Sequence, residues 1–201
     1  AGPELAVLLV KRRNHPYIGK YALPGGFVNM DEQLFEGAER ELYEETGISG
    51  VSLLQFGAFG ALDRDPRTRV ITVGHYGVAP MGTLAPKAGD DAREAALFTV
   101  ELQCEAASAS AETYRMMLMS DRILTARAQL RYNELGAHTA PAPDPGELAS
   151  DHGHVLFAAL CALDKQPRQR LARLFMLGCN EREEEAVAAL DNALCALHQS
   201  L

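Results

Sequence analysis

Between Pro24 and Ile48 the chain couples a forced turn to a helix that carries more negative charge than helix stability alone would select. Pro24-Gly25-Gly26 combines a fixed φ with two residues free to adopt positive φ, which turns the chain. From about Glu32 to Thr46 the pattern is helical: Leu34, Ala38 and Leu42 recur every four residues as an apolar stripe. Gly47 is placed to end the helix in the left-handed conformation, and Asp31 to cap its start. Glu41, Glu44 and Glu45 stand at i, i+3 and i+4, so their carboxylates crowd one face. Each like-charged pair at these spacings costs about 0.2–0.5 kcal/mol. Clustered carboxylates are the hard oxygen ligands that Mg²⁺ or Mn²⁺ prefers, and a bound ion offsets the repulsion. Arg40 lies four residues from both Glu36 and Glu44, within reach of a carboxylate for a forked hydrogen bond. Charge alone also fits an acidic solvated face, so the spacing has to decide.

The spacing is Gly26, five residues, Glu32, seven residues, then Arg40-Glu41-Leu42-Tyr43-Glu44-Glu45-Thr46-Gly47-Ile48. This resembles the box of the Nudix family and departs from it at none of the defining positions. The resemblance implies a MutT-like hydrolase that cuts a diphosphate linkage with Mg²⁺ (or Mn²⁺). It assigns catalysis to Arg40, Glu41, Glu44 and Glu45, and metal binding to the same three glutamates with the Gly26 carbonyl. Glu32 is more often structural in the family. Gly37 stands where the family often has alanine. A mid-helix glycine costs up to about 1 kcal/mol, so it reads as a close-packing site.

Tyr21–Val28, Asp63–Ile71, Ala88–Ala92 and Leu148–His152 are similar to the ADP-ribose pyrophosphatase group of that family. The implied reaction is ADP-ribose to AMP and ribose 5-phosphate. NADH-like dinucleotides and nucleoside triphosphates share the same cut. Arg67 and Arg69 are substrate-phosphate candidates, guanidinium being a planar fork. Pairing with Asp63 or Asp65 at the surface fits them equally. The last base of many family members lies in a loop outside the box; Glu94, Glu101, Glu105 and Glu112 are the candidates. Family members usually carry a further strand ahead of the position of Glu4; the sequence starts at Ala1 without it and without an initiator methionine, as a sequence short of some N-terminal residues would.

The expected architecture is α/β, a Nudix-type α/β/α sandwich with a mixed sheet. One domain over residues 1–201 carries a hairpin insertion and linker at 100–147 and a helical segment at 148–201. Strands are expected at Leu5–Val10, Val51–Phe59 and Arg69–Ala79. Tyr114–Met119 and Arg122–Tyr132 should form an antiparallel hairpin, the second strand alternating cleanly from Leu124 to Tyr132. Ala137–Gly146, with Pro141, Pro143 and Pro145, reads as an extended connector without regular hydrogen bonds. Helices are expected from Asp151 to about Leu163, from Pro167 to Leu177, and after Asn180, which precedes Glu183 as in a capping box.

The 201 residues are 47% hydrophobic and 23% charged, enough for a full core without a disulfide or structural metal. A net charge of −8 argues against nucleic-acid and anionic-membrane surfaces and for a small-molecule nucleotide substrate. No apolar run spans a bilayer and residues 1–20 lack a leader's order, so a cytoplasmic setting is expected. Cys104, Cys161, Cys179 and Cys195 show no metal-ligand spacing and read as buried thiols. His152 and His154, two apart on a helix, make a poor metal pair and read as structural. Val187, Leu190, Leu194, Leu197 and Leu201 form a two-heptad seam; packing on its own domain is the first use, a homodimer contact the second. A nucleotide-sensing transcriptional regulator with a C-terminal DNA-binding module is the rival reading. Residues 148–201 hold 5 Lys+Arg against 7 Asp+Glu, net −2, which speaks against it.

Overall fold

A computed structural model describes residues 5–89 and 92–167, together with Val187, Ala188 and Leu194. In chain order the strands are β1 (Ala6–Arg12), β2 (Tyr21–Ala22), β3 (Leu54–Phe59), β4 (Thr72–Tyr76), β5 (Ala92–Ala107), β6 (Ala111–Met119), β7 (Ile123–Asn133) and β8 (Gly136–Gly146). Helix α1 (Leu34–Thr46) follows β2, and α2 (His152–Asp164) follows β8. Six strands form one sheet in the order β2-β1-β5-β6-β7-β8, and β3 pairs with β4 in a second. All these pairs are antiparallel. A parallel element enters through an isolated bridge between Tyr21 and Leu148.

The sheet turns on β5, whose first half pairs with β1 from Ala92 to Thr99 and whose second half pairs with β6 from Thr99 to Ala107. The expected hairpin is present: Tyr114 lies opposite Ala128 and Leu118 opposite Leu124. Residues 100–146 therefore continue the same sheet as β1. The expected proline connector is instead β8, with Pro141 opposite Ala128 and a register shift before Gly146 pairs with Ala126. At a sheet edge the outer N–H groups face away from the ladder, so prolines are tolerated, and the shift absorbs those that do not fit.

The core lies between the sheet face carrying Leu9, Phe98, Tyr114, Met116 and Leu118 and the buried side of α2, Leu156, Phe157 and Leu160. Tyr114 stacks on Phe157 at 5.1 Å. Ala126 and Ala128 are fully buried and small. They let α2 approach β7 so closely that a Cβ at Gly153 would sit 3.1 Å from that of Ala126. Of the heptad seam, Val187 and Leu194 are described: Leu194 is fully buried in this core and Val187 packs against it. The helices expected at 167–177 and after Asn180 lie outside the described residues, as do Cys179 and Cys195. Cys161 is buried as expected, whereas Cys104 is exposed near the C-terminal end of β5. No helix among the described residues is long and apolar enough to cross a membrane.

Helix α1 begins two residues later than its expected cap. Gln33, not Asp31, is the N-cap, and the Glu36 carboxylate reaches back to the Gln33 N–H at 2.7 Å. That reciprocal contact satisfies a donor every helix start leaves open. Gly47 ends the helix as expected, at φ 70° with its N–H on the Tyr43 carbonyl. The apolar stripe is shallower than its spacing suggests. Leu34 is 46% exposed, and the buried positions are Gly37 and Thr46.

Candidate functional site

The turn at residues 23–26 leaves β2 and crosses the carboxylate face of α1. Gly25 donates its N–H to Glu45 Oε2 at 2.9 Å. A Cβ at Gly26 would lie 2.3 Å from Glu41 Oε1, so only glycine lets the backbone lie against that carboxylate. Glu41 and Glu45, one helical turn apart, thus converge on the same two-residue turn.

Arg40 is the positive centre of the face. Its Nε and Nη2 fork onto Glu32 at 2.9 and 2.7 Å, and its Nη1 reaches Glu41 at 2.8 Å and Glu44 at 2.9 Å. Nη2 also donates to the Phe27 carbonyl at 3.0 Å, tying the turn to the helix. The forked partner is therefore Glu32, while Glu36 serves the helix cap. Hydrogen bonds from Arg40 and from the Asn29 N–H hold the Glu32 carboxyl down at about 2. Its side chain lies over Gly37, where a Cβ would approach Glu32 Oε1 to 3.0 Å and Val28 Cγ2 to 3.4 Å. This is the close packing expected at Gly37.

The C-terminal end of α1 is fixed by the chain ahead of β5. Lys87 donates its N–H to the Thr46 carbonyl at 2.8 Å and Gly89 to that of Glu45 at 3.0 Å. The Gly89 backbone runs so close that a Cβ there would overlap the Glu44 carbonyl oxygen. Two carbonyls that a helix end leaves open are thereby satisfied, and the backbone under Glu44 and Glu45 is held.

Among the described residues no three His, Cys, Asp or Glu side chains are arranged as a ready metal cage. The donor set nonetheless fits a hard divalent ion. Glu41 and Glu45 offer charged oxygens beside a glycine turn that leaves no side chain between them and the backbone. Glu44, 54% exposed at its side chain and bound to Arg40, is the least enclosed of the three.

Arg67 and Arg69 lie apart in their contacts. Arg67 forks onto Asp65, holding that carboxyl at about 2, and its guanidinium sits 5.8 Å from the centre of the exposed Phe27 ring. It therefore borders the box turn. Arg69 donates to the carbonyls of Gly60 and Ala61 at 2.7 and 3.0 Å, bracing its own loop. None of the four candidate bases sits in a loop: Glu94, Glu101 and Glu105 are on β5 and Glu112 on β6. Glu94 pairs with Lys11 and Arg122, Glu105 with Arg115 and Arg127, and Glu112 accepts from Tyr114.

Three contacts that sequence reasoning missed bind the site and the 60–69 loop to the start of α2. Arg64 forks onto Asp151 at 2.9 and 3.0 Å, and Ser150 Oγ donates to the Arg64 carbonyl. His152 Nδ1 accepts the Leu23 N–H at 2.9 Å, directly before the box turn. Accepting there requires a neutral ring. Burial, opposed by Asp151 and reinforced by Arg64 and Arg12, lowers the His152 pKa to about 4. The unfolded chain takes up this proton near the ordinary histidine value of 6.5, the folded chain only near 4. Stability is therefore full above that window and is expected to fall by up to about 3 kcal/mol as pH drops through it. Burial lowers His154 in the same direction. Thermal melts between pH 4 and 7 check this, with a flatter profile expected for His152→Asn.

The NUDIX domain family profile matches residues 2–117. Over 92 residues, 46% of this chain and 53% of the relative, the chain is 45% identical to an ADP-ribose pyrophosphatase of Methanocaldococcus jannaschii. Over 75 residues, 36% of this chain and 30% of the relative, it is 41% identical to the ADPR responsive transcriptional repressor NtrR of Acinetobacter baylyi. The chain thus spans about half or less of the length of these relatives. The crystal structure of a MutT/nudix family protein from Enterococcus faecalis superposes at TM-score 0.60 and 24% identity, over 98% of this chain and 74% of that one. That likeness is one of fold. With the box unbroken, its helix capped at both ends and more than half of the chain matched, the chain belongs to the NUDIX family.

Proposed function

We propose that this chain is a metal-dependent hydrolase of a nucleoside diphosphate derivative, with ADP-ribose as the preferred substrate. The observation that supports it most is the convergence of Glu41 and Glu45 on the Gly25–Gly26 turn. Glu41, Glu45 and the Gly26 carbonyl would hold Mg²⁺ or Mn²⁺, with Glu44 completing the set. When bound, such an ion polarises a phosphoryl oxygen and eases deprotonation of the attacking water. The chain's own part is to position and to balance charge. Arg40 neutralises the carboxylate face and, through Phe27, fixes the turn. Arg67, beside the exposed Phe27 ring, would meet a substrate phosphate on exchanging its Asp65 contact. Arg69 is the weaker candidate, since both its contacts brace its own loop.

ADP-ribose is favoured by the 45% identity with a relative named for hydrolysing it. A screen of ADP-ribose, NADH and nucleoside triphosphates with Mg²⁺ and with Mn²⁺ tests the assignment. AMP and ribose 5-phosphate are the expected products. Turnover of triphosphates with none of ADP-ribose overturns the substrate. The repressor relative makes a sensing role the second reading. A salt-dependent gel shift with duplex DNA, without turnover of any nucleotide, would favour it. The 148–201 segment, net acidic, argues against that outcome. A cytoplasmic setting remains part of the proposal; a homodimer contact is only the second use of the 187–201 seam, behind packing on its own domain, where Leu194 is buried.

A further inference from the structure

Among the described residues the box turn is anchored at its far end by Arg40, which donates to the Phe27 carbonyl, and at its near end by two amides. After Ala22 the chain leaves its ladder with β1, whose last register pairs are Val10 with Ala22 and Lys11 with Tyr21. Pro24 has no N–H to give. The amides on either side of it both donate to side chains: Leu23 to His152 Nδ1 and Gly25 to Glu45 Oε2, each at 2.9 Å. The second acceptor belongs to the reacting face itself and would be drawn on by a bound cation. The first belongs to the scaffold. His152 opens α2, whose first turn is clamped by the Arg64–Asp151 fork, the Ser150 contact to the Arg64 carbonyl and the Ala149 N–H on the Tyr21 carbonyl at 2.8 Å. The acceptor is thus held in a fixed place, 129 residues away in sequence from the amide it receives.

We infer that His152 is a positioning residue for the metal-binding turn: by accepting the Leu23 N–H it sets where Gly25 and Gly26 lie over Glu41 and Glu45. It touches neither substrate nor metal. The inference rests on the hydrolase reading for its catalytic consequence, but its structural core does not. Removing the acceptor frees residues 23–26 to shift, and a displacement of about 1 Å at a reacting centre can cost on the order of 100-fold in rate.

The test compares wild type with His152→Leu, which removes the acceptor, and His152→Asn, whose amide oxygen falls near Nδ1 and can still accept. Leu23→Pro removes the donor from the other side of the contact, together with a side chain packed on the core, and covers failure of the leucine variant to fold. Three quantities are read: Mn²⁺ affinity by titration, kcat and KM at saturating metal, and hydrogen exchange of peptides spanning residues 23–28. For His152→Leu and Leu23→Pro, Mn²⁺ affinity should fall about tenfold or more and kcat about 10- to 100-fold, with KM within about threefold. Exchange in 23–28 should quicken while that of α1 does not. His152→Asn should restore most of each loss. Wild-type Mn²⁺ affinity and unchanged exchange at 23–28 in a folded His152→Leu or Leu23→Pro overturn the inference. If wild type itself binds no Mn²⁺ and turns over nothing, the hydrolase reading fails, and the exchange data still decide whether His152 holds the turn.

Discussion

Replacing Glu45 or Glu41 by glutamine is expected to lower kcat by about 100- to 1,000-fold while leaving the protein folded. Metal-assisted charge stabilisation commonly supplies several kcal/mol, and each 1.4 kcal/mol is about tenfold in rate. Structure argues that little else would change. A glutamine oxygen at 45 can still accept the Gly25 N–H, and Arg40 keeps its fork onto Glu32 when Glu41 loses its charge. Glu41→Gln also removes two like-charge pairs along α1, with Glu44 and Glu45, and Glu45→Gln removes one, with Glu41, each worth about 0.2–0.5 kcal/mol. Thermal melts without metal should therefore shift by no more than a few degrees. Added Mg²⁺ should raise the wild-type midpoint and fail to raise that of either variant, because binding to the folded state alone is what stabilises it. Near-wild-type kcat in both variants at saturating Mg²⁺, on whichever substrate the screen selects, would place the active site elsewhere.

What the sequence made readable is local. The C-terminal bound of α1, its glycine stop and the crowding of Glu41, Glu44 and Glu45 follow from spacing along one helix, and the β6–β7 hairpin from alternation along two strands. Gly37 was readable because a helix interior penalises glycine without a packing reason. The N-cap was misplaced because Asp31 is a better capping residue than Gln33 on propensity alone. The Glu32 side chain is taken by the Asn29 amide and Arg40, so the first turn forms after it, with Glu36 closing on Gln33. β8 was hidden by its prolines, which only a neighbour on one side makes tolerable. The length of β5 was hidden because Ala95, Ala96, Leu97 and Phe98 are apolar on both faces, its two halves serve different partners, and its far end is polar and exposed. The contacts that fix the box turn and the 60–69 loop join residues 129 and 87 apart, and no periodicity carries such pairs.

The longer of those loops supplies the second large effect. Arg64→Ala or Asp151→Ala should each destabilise the protein by about 3–5 kcal/mol, because each leaves the other charge without its partner in a place largely closed to water. The side chains are only 7% and 11% exposed. Screening is therefore weak, and both nitrogen–oxygen contacts are at hydrogen-bond distance. Arg64 also donates to Thr72 Oγ1, linking the loop to β4. Asp151 is the N-cap residue of α2, but its side chain makes no capping bond to the helix. A loss well above the roughly 1 kcal/mol of a deleted cap would thus report the ion pair. In a chain of this size about 2–4 °C accompany each kcal/mol, so the melting midpoint should fall by about 10 °C. Substituting both partners with apolar residues of similar volume, Arg64→Met with Asp151→Leu, should recover much of the loss, since no buried charge is then left alone. The cycle separates this from simple loss of packing: a coupling of at least about 1.5 kcal/mol between the two positions is expected. Additive single effects, each below about 1 kcal/mol, would mean that the fork does not hold the 60–69 loop to α2, and that Arg67 is presented beside Phe27 by some other restraint.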